Sequence, residues 1–389
     1  MPTAADRRAY LGPALFSYGF RPFFLFGAAW AALTVPLWAL SAAGIGPDLG
    51  REWHIHEMLF GFVAAVVAGF LTTSIPNWTG RMPVIGAPLA LLTSVWGAGR
   101  IAMLFRDSLG PITAVIDCAF LVVFAAVVWR EVLSGRNWRN LGVCVLVSLL
   151  AAANAAFHLN GAAFSDGLGY RAALGAVAVL IALIGGRITP SFTRNWMRAE
   201  RLSPEPASGP WLDRSALSLT ILACAAWTIW PESPAAGGML MAAGLANFAR
   251  MARWRSFQVG REPLVWILHA GYAWLGFGLV LLGLTSLASD LPRSAGVHAL
   301  TAGAIGSMTL AVMTRASRGH TGQRLVADRA TLAIYVAILA AGATRVAASL
   351  IPLLYLPLLL ASSILWFVAF GGFVLAYAPA LVRPRVQRD

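Results

Sequence analysis

The chain has 389 residues, of which 59% are apolar and 12% charged, and a net charge of +13. A soluble domain carries about 25% charged residues, so a water-soluble globular enzyme is excluded and the bulk of the chain reads as membrane-embedded. The charge comes from 29 arginines with no lysine; it falls between apolar runs, which fits anchoring at a negative membrane surface and not nucleic-acid binding.

Crossing the hydrocarbon takes roughly 20 apolar residues per helix. Apolar runs bounded by Gly, Pro and Arg predict twelve helices, near 15–43, 54–76, 86–105, 110–133, 138–160, 168–190, 212–231, 235–254, 262–288, 294–316, 327–350 and 353–382. The expected fold is an all-α integral membrane protein, one polytopic domain over 1–389. The N-terminal Arg7 and Arg8 faintly resemble a twin-arginine signal. The run after them is too long for a cleaved leader, so it reads as the first membrane helix.

Arginine tests the count, because loops on the cytoplasmic side are enriched in positive charge. Arg7 and Arg8, then Arg81, Arg130, Arg136 and Arg139 fall on one side. So do the runs 187–214, 250–261 and 315–329 and the C-terminal Arg383, Arg385 and Arg388. The opposite side holds few, such as Arg51, Arg106 and Arg293. Both termini are therefore expected to be cytoplasmic, and 187–214 to be a basic cytoplasmic loop between helices 6 and 7. Cys118, Cys144 and Cys224 each fall within an apolar run and read as small buried hydrophobes; with no Cys-x-x-Cys-His, covalent haem attachment is not indicated.

Six histidines stand out in such a chain. An imidazole in hydrocarbon needs a partner, commonly a metal, a haem iron or a proton path. The topology puts His54, His56, His158 and His298 near the outer face, making them candidate metal or haem ligands. His269 lies in the inner half of helix 9, as a second haem ligand, a proton relay or a hydrogen-bonded packing residue; His320 is cytoplasmic. His54 and His56, about 200° apart on a helix, cannot both face one point, whereas Asn154 and His158 share a face. Helix 10 offers the small residues Ala302, Gly303, Gly306 and Ser307, suited either to a haem slot or to close helix packing. Arg51, Arg100 and Arg171 could pair with haem propionates or snorkel to the interface. Glu57 and Asp117 are candidate proton donors; Asp117 could instead simply pair with Arg100.

Several segments together resemble one family. They are Gly19-Phe-Arg-Pro-Phe-Phe-Leu25, Trp53-His-Ile-His-Glu-Met-Leu-Phe-Gly-Phe62, Ile75-Pro-Asn-Trp-Thr-Gly-Arg81 and Gly186-Arg-Ile-Thr-Pro-Ser-Phe-Thr-Arg-Asn195. To these are added His298-Ala-Leu-Thr-Ala-Gly-Ala-Ile-Gly-Ser-Met308 and Thr314-Arg-Ala-Ser-Arg-Gly-His-Thr-Gly322. The combination is similar to the NnrS family over nearly the whole chain. That resemblance implies a bacterial inner-membrane protein carrying haem and copper, linked to nitric oxide metabolism and resistance to nitrosative stress. The family's histidine-bearing motifs match at His54, His56, His298 and His320, and extend to His158 and His269.

Three functions follow as expectations. The first is reduction of nitric oxide to N₂O at a His-ligated haem b with a nearby copper, using protons from Glu57 or Asp117 and electrons from an unknown donor. The second is a non-enzymatic binder or sensor of nitric oxide or metal. The third is a metal or haem transporter, which the clustering of histidines away from the midplane disfavours.

Overall fold

Long alanine-, leucine- and valine-rich runs have one way to satisfy their backbone groups without water, which is the helix. The computed structural model describes residues 10–159, 167–207, 209–288 and 290–386. Among them there are helices and no strands. The N-terminal Arg7 and Arg8 and the C-terminal Arg388 lie outside the described residues. Twelve long helices follow in order. The first six are α1 (Phe20–Ala42), α2 (Arg51–Thr79), α3 (Ala87–Leu104), α4 (Ile112–Ser134), α5 (Trp138–Leu159) and α6 (Leu168–Ala199). The rest are α7 (Pro210–Ile229), α8 (Pro234–Ala252), α9 (Pro263–Thr285), α10 (Arg293–His320), α11 (Arg329–Leu350) and α12 (Pro352–Val382).

Eleven of these are long and apolar enough to cross a membrane, which fits a multi-pass membrane protein. The helix that does not meet that measure is α8. Its 19 residues are mostly alanine and glycine, and they include Asn247 and Arg250, both buried. It packs between α7 and α9, where Thr220 accepts from Asn247 at 2.8 Å and Tyr272 donates to it at 2.6 Å. The expected loop 187–214 is shorter than the sequence suggested. Arginines interrupt the apolar run after Gly186, yet the chain stays helical to Ala199, because helix geometry tolerates a polar, amphipathic end.

Burial sorts the helices. The most apolar stretches of α2, α6, α10 and α9 are 78, 78, 72 and 67% buried, against 28–50% for the other spans. These four form the centre, and the others present side chains such as Leu33, Val115 and Leu375 outward. The three most buried helices each contain a π-helical segment: Glu57–Val63 in α2, Ile181–Gly185 in α6 and Ala299–Ile305 in α10. A π-bulge misaligns the backbone ladder, and each one receives a side-chain donor. Trp96 donates to the Gly61 carbonyl at 2.9 Å, Arg250 to Ala182 at 2.7 Å and Ser307 to Gly303 at 2.5 Å. Arg250 also reaches Tyr272 at 2.9 Å and Asp213 at 2.8 Å. Arg250→Leu is therefore expected to cost about 2–3 kcal/mol, the value of charged hydrogen bonds left unmade. A detergent melting curve matching wild type would contradict that.

The two ends of the chain meet. Arg21 in α1 donates to the carbonyls of Leu381 and Arg383 at 2.8 and 2.7 Å, satisfying groups that the end of α12 leaves open. Asp328 caps α11, accepting from the Thr331 N–H at 2.8 Å and from Arg318 at 2.5 Å. Burial raises the Asp328 pKa, but the Thr331 and Arg318 donors outweigh it and hold the carboxyl below its ordinary range. A depressed folded-state pKa stabilises the fold above the unfolded carboxyl value and loses that contribution as pH falls through the folded value. Asp328→Ala is expected to cost about 1 kcal/mol at neutral pH, the usual worth of an N-cap, and nothing in strong acid. A cost that stayed constant down to acid pH would refute the assignment.

Candidate functional site

The starts of α2, α4 and α10 and the ends of α3, α5 and α11 gather at one end of the bundle. The predicted residues found there divide into two groups, because His54 and His56 leave α2 in different directions.

His56 points into a dry polar cluster. His56, Glu57 and Asp117 are at most 1% exposed. The ring sits 2.9 Å from Glu57 through Nδ1, and 3.1 Å from both Asp117 and Asn154 through Nε2. Arg100, from α3, grips both Glu57 oxygens at 2.8 and 2.7 Å and donates its other arm to Asp117. His158 reaches Asp117 at 3.0 Å, Asn154 donates to Asp117 at 2.8 Å and Trp30 to Glu57 at 2.7 Å. The i,i+4 pair Asn154 and His158 thus converges on one carboxylate, and Asp117 does pair with Arg100. Glu57 joins its neighbour His56 in this cluster and opens the π-segment of α2.

Hydrogen-bond roles fix the proton inventory. Asn154 donates through Nδ2 to Asp117, so its oxygen accepts, and His56 Nε2 must donate. One proton then lies between His56 Nδ1 and Glu57, on either the ring or the carboxyl. The cluster is neutral when it holds that proton: two carboxylates, one guanidinium and one imidazolium. Half-buried His158 lies at its edge.

Gly61 is required here for space. A Cβ at that position would lie 2.5 Å from Arg100 and 2.9 Å from Glu57. Gly61→Ala is expected to break the Arg100–Glu57 contact and cost about 1–3 kcal/mol, the usual penalty of overpacking. Unchanged stability would show that the cluster can shift aside.

His54 and His298 belong to the second group. Both line a cavity of about 410 Å³ that adjoins a smaller one of about 60 Å³. A cofactor-sized site is typically about 300–1,000 Å³. His54 stacks on Trp38 at 4.2 Å, and its buried Nδ1 has no hydrogen-bond partner. His298 Nδ1 lies 2.6 Å from the Ser294 carbonyl. A carbonyl only accepts, so that nitrogen carries the proton and the lone pair is on Nε2. This is the arrangement by which a backbone carbonyl fixes a metal-ligating tautomer. Arg51, Arg293 and Arg345 also line the cavity.

The remaining predicted residues are dispersed. Arg100 is committed to the carboxylates. Arg171 donates to the Thr228 carbonyl at 3.0 Å and does not line the cavity. His269 is at the far end, held by Thr193 and Ser256 at 2.8 Å each, so both its nitrogens are engaged. His320 is also at the far end, near the rings of Tyr18 and Phe20. Of the small residues of α10, Ala302 lines the smaller cavity. Gly303 and Gly306 serve close packing, against Trp274 and against Ile338 and Trp366. Sequence reasoning missed Arg345, although a lone arginine inside the apolar run of α11 is itself a signal.

Three ligand atoms, from His56, Asp117 and His158, lie within 4.8 Å of one another. This is the set of histidine, cysteine and carboxylate groups with metal-like spacing found among the described residues. No curated protein matches the chain. The profile of one family, described as NnrS protein, matches residues 14–385. That span includes both groups of polar residues and all twelve helices, so the chain belongs to the NnrS family, a membership that suggests a membrane protein related to nitric oxide.

Proposed function

We propose that this is a bacterial inner-membrane protein of nitric oxide metabolism and nitrosative-stress resistance, holding a haem b in the cavity lined by His54 and His298 and reducing nitric oxide to N₂O there. The observation that carries this reading is the pair of imidazoles on one cavity. One has an orphaned buried nitrogen, and the other is locked with its lone pair on Nε2. The residues fit the group in charge as well: Arg51 and Arg345 would balance propionates, while Arg293 is paired with Glu232 at 2.5 Å. The arginine-poor connections at this end support an outer-side location for it.

A haem bound here supplies an iron that binds nitric oxide and passes electrons from an external donor. The chain's own residues do the rest. His54 and His298 orient the group, and stacking on Trp38 fixes the first of them. Apolar walls from Met58 and Leu59 limit water. Two protons are consumed per pair of nitric oxide molecules, with two electrons, giving N₂O and water. His56 and Glu57 hold one proton, and His158 and Asp117 reload it from the half-buried edge.

Copper has a second candidate place. The His56, Asp117 and His158 atoms have suitable spacing and nitrogen and oxygen donors. Binding there would displace the hydrogen bond between His56 and Asp117 and release protons.

The deciding experiment is a reduced-minus-oxidised optical spectrum of the purified protein, followed by N₂O measurement with a chemical reductant and nitric oxide. A b-type signal with N₂O formation is expected. A nitric-oxide-induced spectral change without N₂O would favour a binder or sensor. A featureless spectrum from protein made with ample haem would overturn the haem assignment.

A further inference from the structure

Four cavities follow one another through the bundle. The 410 Å³ and 60 Å³ spaces near His54 share lining residues. The 60 Å³ space is separated from a central one of about 80 Å³ by the side chains of Val63 and Ile305, which line both. The central space is in turn separated from a cavity of about 790 Å³ at the His320 end by Phe70, Ile184, Ile188 and Val312.

Charge along this route has one sign. The cavity near His54 has Arg51, Arg293 and Arg345 on its walls, and the one near His320 has Arg139, Arg187 and Arg315. Among the described residues no aspartate or glutamate lines any of the four, although Arg293 is paired with Glu232. Arginine-lined mouths concentrate anions and repel cations. The central space is apolar, with Thr309 the one hydroxyl among its lining residues. A narrow apolar stretch of this kind closes a pore by shedding water.

The partitions coincide with the irregular backbone. Val63 ends the π-segment of α2, Ile305 ends that of α10, and Ile184 lies within that of α6. π-Bulges occur frequently at functional sites, and three of them border this one route. We propose that α2, α6 and α10 enclose a gated path for small monovalent inorganic anions, shut here by the Val63–Ile305 and Ile184–Val312 partitions and opened by shifts at the π-segments. This goes beyond the haem reading and concerns the protein before haem is loaded, since a haem in the 410 Å³ cavity would fill the outer mouth.

The test uses the full-length protein, purified haem-free, in liposomes with a chloride-quenched dye inside, external potassium chloride and valinomycin to balance charge. Wild type is expected to pass chloride above the protein-free rate. Val63→Ala with Ile305→Ala should pass it about tenfold faster, equivalent to about 1.4 kcal/mol off the barrier. Ile184→Ala with Val312→Ala thins the second partition and gives an independent variant. Arg315→Gln should reduce the chloride rate in either background. Val368→Ala, on the outward face of α12, should change nothing. Chloride entry at the protein-free rate in wild type and in both widened variants, with all three eluting as folded protein, would overturn the proposal. So would potassium entry without valinomycin at the same rate as chloride, which marks an unselective leak.

Discussion

Arg100→Leu is expected to be the most destabilising single substitution in the polar cluster. Its guanidinium is the only fixed cation among Glu57, Asp117, His56 and His158, and it contacts both carboxylates. Arg100 is 3% exposed and the carboxylates at most 1%, so water cannot replace what is removed. Taking away one partner of a buried pair costs about 3–5 kcal/mol, a large fraction of the roughly 5–15 kcal/mol that typically holds a fold. Arg100→Lys should recover part of this, because it restores the charge but not the two-armed geometry that bridges Glu57 and Asp117. Adding Glu57→Gln to Arg100→Leu should also recover part, since it removes one of the two stranded charges. Melting in detergent, followed by tryptophan fluorescence, checks the series. If Arg100→Leu melts with wild type, the cluster is not holding ionised carboxylates and the proton inventory is wrong.

The helices were legible because hydropathy acts locally and arginine marks their ends; even α8, the least apolar, was delimited by Pro234 and the arginines from Arg250. The site was legible in its parts. Asn154 and His158 were expected to share a face, and they meet Asp117 together. What could not be read was which partner each histidine takes. Asp117 meets His56 and His158 from 61 and 41 residues away, and no local pattern encodes such contacts. The π-segments were equally hidden. Each contains a glycine, Gly61, Gly185 or Gly303, but glycine is common in membrane helices, and its need for space at Gly61 and Gly303 appears only once Arg100 and Trp274 are in place. The end of α6 was read as loop because arginine density was taken as the membrane boundary, whereas a helix can continue past the boundary.

His298→Ala should abolish haem binding while leaving the fold intact. The ring is half-buried, and its Nδ1 hydrogen bond goes to a carbonyl in its own helix, so little packing is lost. Even altering the groups that orient a metal ligand lowers affinity by about 10–100-fold, and removing the ligand itself should exceed that. His54→Ala should behave similarly. His269→Ala should keep the optical signal, because both of its nitrogens are occupied by Thr193 and Ser256. His56→Ala separates the two groups: it should leave the haem spectrum in place, lower N₂O formation, and flatten its pH dependence, since the proton store is lost while the cofactor remains. Arg345→Gln should shift the haem potential without removing the haem, because a buried cation beside the cavity favours the reduced state electrostatically. Full retention of haem and copper in His298→Ala would sink the placement of the site. Loss of haem in His56→Ala but not in His298→Ala would transfer it to the Asp117 cluster, where three ligand atoms already converge.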